Sequence, residues 1–135
     1  MIQTIALIVG CAWAAWCAFV AVVTLAGPHL VPHTTAMTNG LWVVFPAAVR
    51  ARLTPEQQAA VIAHERGHIA RGHIFINMIR AFIFLRLPLH MAILQELQAD
   101  DYAAARGHGP ALASALRAIG TEAFDFYRAS RLSPR

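Results

Sequence analysis

Lysine is absent from this chain: all eleven basic residues are arginine, set against seven acidic ones. No physical task excludes lysine everywhere, so the bias reads first as one of coding. The net charge of +4 is modest. A nucleic-acid surface would want a basic stripe with interleaved aromatics, and none is present, which argues against nucleic acid as a partner. Arginine is better matched here to the anionic headgroups of a bilayer. Cysteine is almost as scarce. Cys11 and Cys17 do not share a helix face and sit in an apolar segment, so there is no cysteine-based zinc motif, and the pair says nothing about redox compartment. Charge of either sign is thin, 13% of residues against 58% hydrophobic. That is too apolar for an ordinary soluble domain and points towards a membrane. With 135 residues there is room for one domain and little more.

What is present begins with a charge-free run from Ile5 to Gly27. As a helix it reaches roughly 35 Å, enough to cross a hydrocarbon core of about 30 Å. A signal peptide would want a basic leader and a shorter apolar core. The residues ahead of Ile5 are Met-Ile-Gln-Thr, so an uncleaved anchor over residues 1–27 is expected. Gly10, Ala14 and Ala18 form a small-residue ladder, but alanine is common throughout and the ladder carries little weight. Residues 28–38, with Pro28 and Pro32, read as a linker. Residues 39–135 then form the working domain. Asn39-Gly40 signals a turn, and Leu41, Trp42, Val43, Val44 and Phe45 form a short β-favouring run ended by Pro46. Such a run must be an edge, one arm of a hairpin with Leu30 to Met37, or a strand awaiting a partner.

The stretch LTPEQQAAVIAHERGH starts a helix unambiguously: Thr54 at the N-cap, Pro55 at the first helical position, and Gln57 closing a capping box. The helix is expected to run through the histidines and to meet no firm break before Pro88, although Gly67 and Gly72 weaken it. Ile74 to Leu94 is apolar nearly all round, yet Arg80, Arg86 and Pro88 argue against a second span. It is expected to lie shallowly in the membrane interface or in a homo-oligomeric contact between apolar helices. Further helices follow, one ending at Gly107, one opened by Pro110, and a last one capped by Thr121. The expected fold is mainly α with a short edge strand or small sheet, plus one N-terminal transmembrane helix.

His64 and His68 are spaced to share a helix face, where two imidazoles can meet one Zn²⁺ at roughly 2.0–2.1 Å. Glu65 follows the first histidine, and a carboxylate there can take a proton from the attacking water and pass it to a leaving amine. A third ligand must come from elsewhere. Arg71 and Ile74 occupy the positions a metzincin-type site would need. On a straight helix His73 points away from the pair and is expected to be solvated or at an interface. Glu96, on the next good helix, is the better candidate, with Asp100 one turn later placed to accept the free ring N–H of a ligating histidine. Two histidines and a glutamate with an open fourth position is the pattern of a catalytic zinc rather than a structural one.

HERGH followed by ELQAD resembles the gluzincin metallopeptidases. Among them it is most similar to the membrane group that includes the CAAX-prenyl peptidases and the membrane heat-shock protease, and to the small minigluzincins. The similarity runs from about Thr38 to Ala105. It implies a zincin-like minimal domain, one zinc on His64, His68 and Glu96, Glu65 as general base and Asp100 behind the ligands. It also implies that Leu41 to Phe45 is the edge strand on which an extended substrate adds as a further strand. Relatives carry a His, Tyr or Arg near the C-terminus that steadies the oxyanion; Tyr127, Arg128 and Arg131 are the candidates here. Some small relatives are blocked by their own tails, a role open to RASRLSPR. The expected function is a membrane-anchored zinc endopeptidase acting on membrane or membrane-near proteins. The alternative is a catalytically silent, zinc-stabilised adaptor or regulator, against which the intact Glu65 argues. Arg50 and Arg52 follow the anchor while no arginine precedes it, which places the domain in the cytoplasm by the positive-inside rule.

Overall fold

The computed structural model describes residues 2–30 and 36–133. It is mostly helical, with one small sheet. The opening helix α1 (Ile2–Leu30) is long and apolar enough to cross a membrane, and most of its side chains from Ile2 to Ala26 are exposed. It continues through the first three residues of the expected linker; residues 31–35 lie outside the described ones.

The hairpin is shorter than the apolar run suggests. Strand β1 (Met37–Thr38) pairs antiparallel with β2 (Val43–Val44), Met37 opposite Val44 and Thr38 opposite Val43. Side chains take the backbone groups between them. Asn39 Oδ1 accepts from the amides of Leu41 and Trp42 at 3.0 and 3.1 Å, and the Thr38 hydroxyl accepts from Gly40 and donates to the Trp42 carbonyl. These bonds make Leu41 and Trp42 part of the turn, with Gly40 at a φ of +92°. Of the alternatives open in the sequence, the structure takes the hairpin.

After the short α2 (Ala47–Arg50), helix α3 (Pro55–Ala70) starts as its sequence requires. Gln57 N donates to Thr54 Oγ1, and Thr54 N donates to Gln57 Oε1. It does not run on to Pro88. Gly72 adopts the left-handed conformation at φ +66°, the chain turns, and α4 (His73–Phe82) leaves in a new direction. Helix α5 (Leu89–Ala104) returns after Pro88, and α6 (Gly109–Ile119) and α7 (Ala123–Leu132) complete the chain. The cap of α7 is Glu122 rather than Thr121: its side chain takes the Asp125 amide while Asp125 accepts from the Glu122 amide.

The core is built from small residues. Ala60, Ala63, Ala103, Ala113, Ala115 and Ala129 surround Val49, Leu53, Val61, Leu112 and Leu116. Alanine faces let helix axes approach closely, and one contact depends on glycine. A Cβ on Gly67 would lie 2.9 Å from Ala99 Cα and 3.1 Å from its carbonyl oxygen. Helix α3 therefore meets α5 backbone to backbone at Gly67, within one turn of both His64 and His68.

Candidate metal centre

The close α3–α5 crossing sets His64, Glu65 and His68 against Glu96 and Asp100. All but Glu96 are buried, and Glu96 is about a third exposed. His64 Nε2 lies 3.2 Å from His68 Nε2 and 3.4 Å from Glu96 Oε2; His68 Nε2 lies 3.5 Å from Glu96 Oε1. A tetrahedron with bonds of about 2.0–2.1 Å has edges of about 3.3–3.4 Å. The two ring nitrogens thus stand close to such an edge, the Glu96 carboxylate turns one oxygen towards each histidine, and the three residues form the one such group among the described residues.

Hydrogen bonds on the far side of each ring fix which nitrogen is free. His64 Nδ1 lies 2.9 Å from Asp100 Oδ1, so it donates, leaving Nε2 as the lone-pair face. For His68 the chain of bonds is longer. His73 Nε2 lies 2.9 Å from Gln98 Oε1 and must donate to it; a neutral His73 then accepts through Nδ1, 3.0 Å from His68 Nδ1. His68 is thereby held as the Nδ1–H tautomer with Nε2 free. Two lone pairs facing each other at 3.2 Å repel unless a cation or a proton stands between them. The donor set therefore fits the metal that the sequence implies.

His73 overturns its sequence expectation. It is 3% exposed, neither solvated nor at an interface, because the left-handed Gly72 swings it back onto the pair that a straight helix would carry it away from. Sequence reasoning missed Gln98 too. The available signal was Arg71-Gly72-His73: a glycine just past a helix, followed by a polar residue.

Arg128 reaches the cluster from α7. It donates through Nε and Nη2 to the two oxygens of Asp100 at 2.9 and 2.7 Å, and its Nη1 lies 3.0 Å from Glu96 Oε2. Asp100 has no exposed surface and is held by His64 and Arg128 together. The other C-terminal candidates lie elsewhere: Tyr127 is exposed and stacks on Phe124, and Arg131 pairs with Asp101. Ser133 is held on α6 by Arg117, away from the cluster, and residues 134–135 lie outside the described ones.

The charges respond accordingly. Burial by itself would depress the His64 imidazole, but its hydrogen bonds to Asp100 and Glu96 lift it to about 9. Burial and the neighbouring His64 push His68 down to about 4, so it stays an acceptor. Burial raises the Glu65 carboxyl to about 7. Burial also opposes the charges on Glu96 and Asp100, yet His64 and Arg128 hold both carboxyls below their usual range.

A cleft of about 680 Å³ opens over these groups. His64, Glu65, His68, Glu96 and Arg128 line it, along with Met37 and Thr38 of β1 and the apolar Leu87, Leu112 and Leu116. Leu41, Trp42, Val43 and Phe45 line a different depression with Arg50 and Arg66, against an adjacent face of α3. The sheet does border the cleft, but through β1 rather than through the run singled out in sequence.

Helix-borne His-Glu-x-x-His, a glutamate from the next long helix and a buried aspartate behind the first histidine define the gluzincin class of metallopeptidase. The model of peptidase family M48 matches residues 18–128, and the chain belongs to that family. No curated protein and no solved structure matches it.

Proposed function

We propose that the chain is a membrane-anchored zinc endopeptidase, holding one zinc per chain and acting on peptide segments close to the bilayer. The observation that carries this reading is the 3.2 Å approach of the His64 and His68 Nε2 atoms, with Glu96 Oε2 3.4 Å from the first and Glu96 Oε1 3.5 Å from the second, beside a buried Glu65 at an open cleft. His64, His68 and Glu96 would hold the ion. When bound, zinc polarises a scissile carbonyl and brings the pKa of water to about 7. Glu65 takes the proton of the attacking water and delivers it to the leaving amine. Arg128 Nη1, on the cleft wall beside Glu96, is the donor assigned to the developing oxyanion. Asp100 and His73 keep His64 and His68 in the ligating tautomer. An extended substrate adds to β1, whose Met37 and Thr38 line the cleft, with its apolar side chains against Leu112 and Leu116. Helix α1 anchors the domain, and Arg50 and Arg52 on the domain side favour the cytoplasmic face.

The test is Glu65→Gln in the full-length protein, purified in detergent and assayed on an unfolded protein and a peptide library. The variant should bind zinc as the wild type does and lose about 10²–10⁴-fold in cleavage rate. Near-wild-type cleavage would remove Glu65 as the base. A wild type that binds zinc stoichiometrically but cleaves nothing would favour the silent adaptor.

A further inference from the structure

Helix α4 and the turn that follows it do not sit free of the anchor. Trp16 Nε1 donates to the Ala81 carbonyl at 3.0 Å, and Trp13 Nε1 points at the Phe82 carbonyl at 3.3 Å. The remaining carbonyls of the last turn of α4 are also taken. Ile83 N donates to Ile79 O, Phe84 N to Ala81 O, and Leu85 N to Arg80 O. The last two bonds form a Schellman closure, whose left-handed position normally falls to glycine. Here it is Phe84, at φ +59°. A bulky side chain in that conformation is strained, yet Phe84 is 65% exposed and its ring stacks on Trp16 at 5.0 Å.

In water neither feature has a purpose: helix-end carbonyls are satisfied by solvent, and glycine would close the helix at less cost. In hydrocarbon every backbone carbonyl needs a protein donor, and an apolar tip is favoured. The surface around the turn matches that solvent. Ile83 and Leu85 flank Phe84 and are exposed with it, as are Phe75 and Ile79 along α4 and Leu89 at the start of α5.

We propose that the α4–α5 turn enters one leaflet of the bilayer alongside α1, so that the domain is held by a span and a re-entrant half-hairpin together. This rests on α1 being a membrane anchor. The lengths agree. The 29 residues of α1 reach about 43 Å, some 13 Å more than a hydrocarbon core of about 30 Å. With Ile2 at the far boundary, the near boundary falls close to Val22, and Trp13 and Trp16 lie about 10 Å beneath it. Helix α4 runs antiparallel to α1. Its start at Ile74 packs near Gly40, next to Asn39, whose Nδ2 donates to the Leu25 carbonyl above that boundary. Its end lies at the tryptophans. Arg80 Nη2 donates to the Arg86 carbonyl at 2.7 Å and so serves a further backbone acceptor of the turn, while the long stem of the exposed Arg86 allows its guanidinium to reach towards headgroup phosphates. The stem of the hairpin is the paired amides of Asn77 and Gln95, bonded at 3.1 and 3.0 Å. Both line the cleft, so the cleft opens directly over the leaflet.

The experiment uses full-length protein in phosphatidylcholine–phosphatidylglycerol vesicles carrying nitroxide lipids. Cys11, exposed on α1, is the native reporter in Cys17→Ala. The turn is reported by Phe84→Cys and the far side of the domain by Ala105→Cys, each in Cys11→Ala/Cys17→Ala. A bimane label at position 84 should be quenched by acyl-chain nitroxides at a depth of about 5–10 Å. It should be shielded from iodide as Cys11 is, with position 105 open to iodide. If Cys11 is buried in lipid while position 84 is reached by iodide, the hairpin proposal is wrong and the anchor survives. If iodide reaches both, the anchor and the hairpin fall together. If position 84 is shielded from iodide and from every nitroxide, protein covers it, and a second copy of the chain rather than lipid is its partner.

Discussion

Of the three side chains that would hold a metal, the two histidines are each oriented by neighbours that would not touch it. Asp100 and the His73–Gln98 pair each hold one imidazole with its Nε2 turned inward. His73→Ala, and separately Gln98→Ala, should therefore weaken zinc affinity by about 10–100-fold while leaving the helices in place. Competition against a chelator with circular dichroism in parallel reads both, and an unchanged affinity in His73→Ala would show that His68 needs no partner. The pH dependence has a definite sign. With its pKa lifted to about 9 by Asp100 and Glu96, His64 is expected to hold a second proton in the metal-free chain, which zinc would displace. Apparent affinity should rise about tenfold per unit from neutral pH and level off as pH passes about 9, with close to one proton released per ion. His68, depressed to about 4, adds nothing to this window. Calorimetry in buffers of different ionisation enthalpy counts the proton, and zero release would contradict the raised His64. Arg128 stands on a different footing, as the counter-ion of a carboxylate with no exposed surface. Arg128→Ala should cost about 3–5 kcal/mol of stability, since it strands a buried charge. Denaturant unfolding in detergent measures this, and a loss below about 1 kcal/mol would mean that water replaces the guanidinium.

At the level of elements, the crossing of α3 and α5 at Gly67 is the joint on which the centre depends. Gly67→Ala would gain about 1 kcal/mol of helix propensity on an isolated helix. Here the added methyl meets Ala99 backbone, which cannot rotate away. The variant should unfold at lower temperature and bind zinc more weakly, because parting the helices stretches the distances from His64 and His68 to Glu96. A variant more stable than wild type would show that α5 can shift without loss. Much of this was legible in the chain. The Thr54-Pro55-Gln57 start of α3, the ligand spacing and the partner helix with Glu96 and Asp100 are local patterns, and local patterns survive folding. What was not legible depends on where one residue turns the chain. Gly67 and Gly72 look alike in sequence, as two helix-weakening glycines. One lies inside a helix to admit another backbone, while the other ends the helix in the left-handed region and brings in His73. The β-run misled for a similar reason. Asn39 and Thr38 compete for the backbone groups of Leu41 and Trp42, and that competition leaves two residues in each strand. The apolar stretch after His73 was legible as needing a partner, but that the partner includes α1 follows only from Trp13 and Trp16.

Across the whole molecule, the hydrophobic core and the metal centre divide the work of holding the helices. The buried core is largely alanine, which permits close packing but removes little apolar surface from water per residue. The polar cluster joins α3 to α5 through His64, Asp100 and Glu96, and brings in α7 through Arg128. In the metal-free chain these hydrogen bonds and ion pairs hold the cluster together; a zinc ion would add three ligand bonds across the same helices. Zinc should therefore stabilise the whole domain and not merely its site. At free zinc about 100-fold above the dissociation constant the gain is about 2.7 kcal/mol, a rise in the unfolding midpoint on the order of 10 °C for a domain of this size. Chelator should reverse the shift, and His64→Ala/His68→Ala should show none. Thermal unfolding followed by circular dichroism in the same detergent, with and without zinc, makes the comparison. An equal shift in the double variant would assign the effect to zinc bound elsewhere and leave the proposed centre without its structural role.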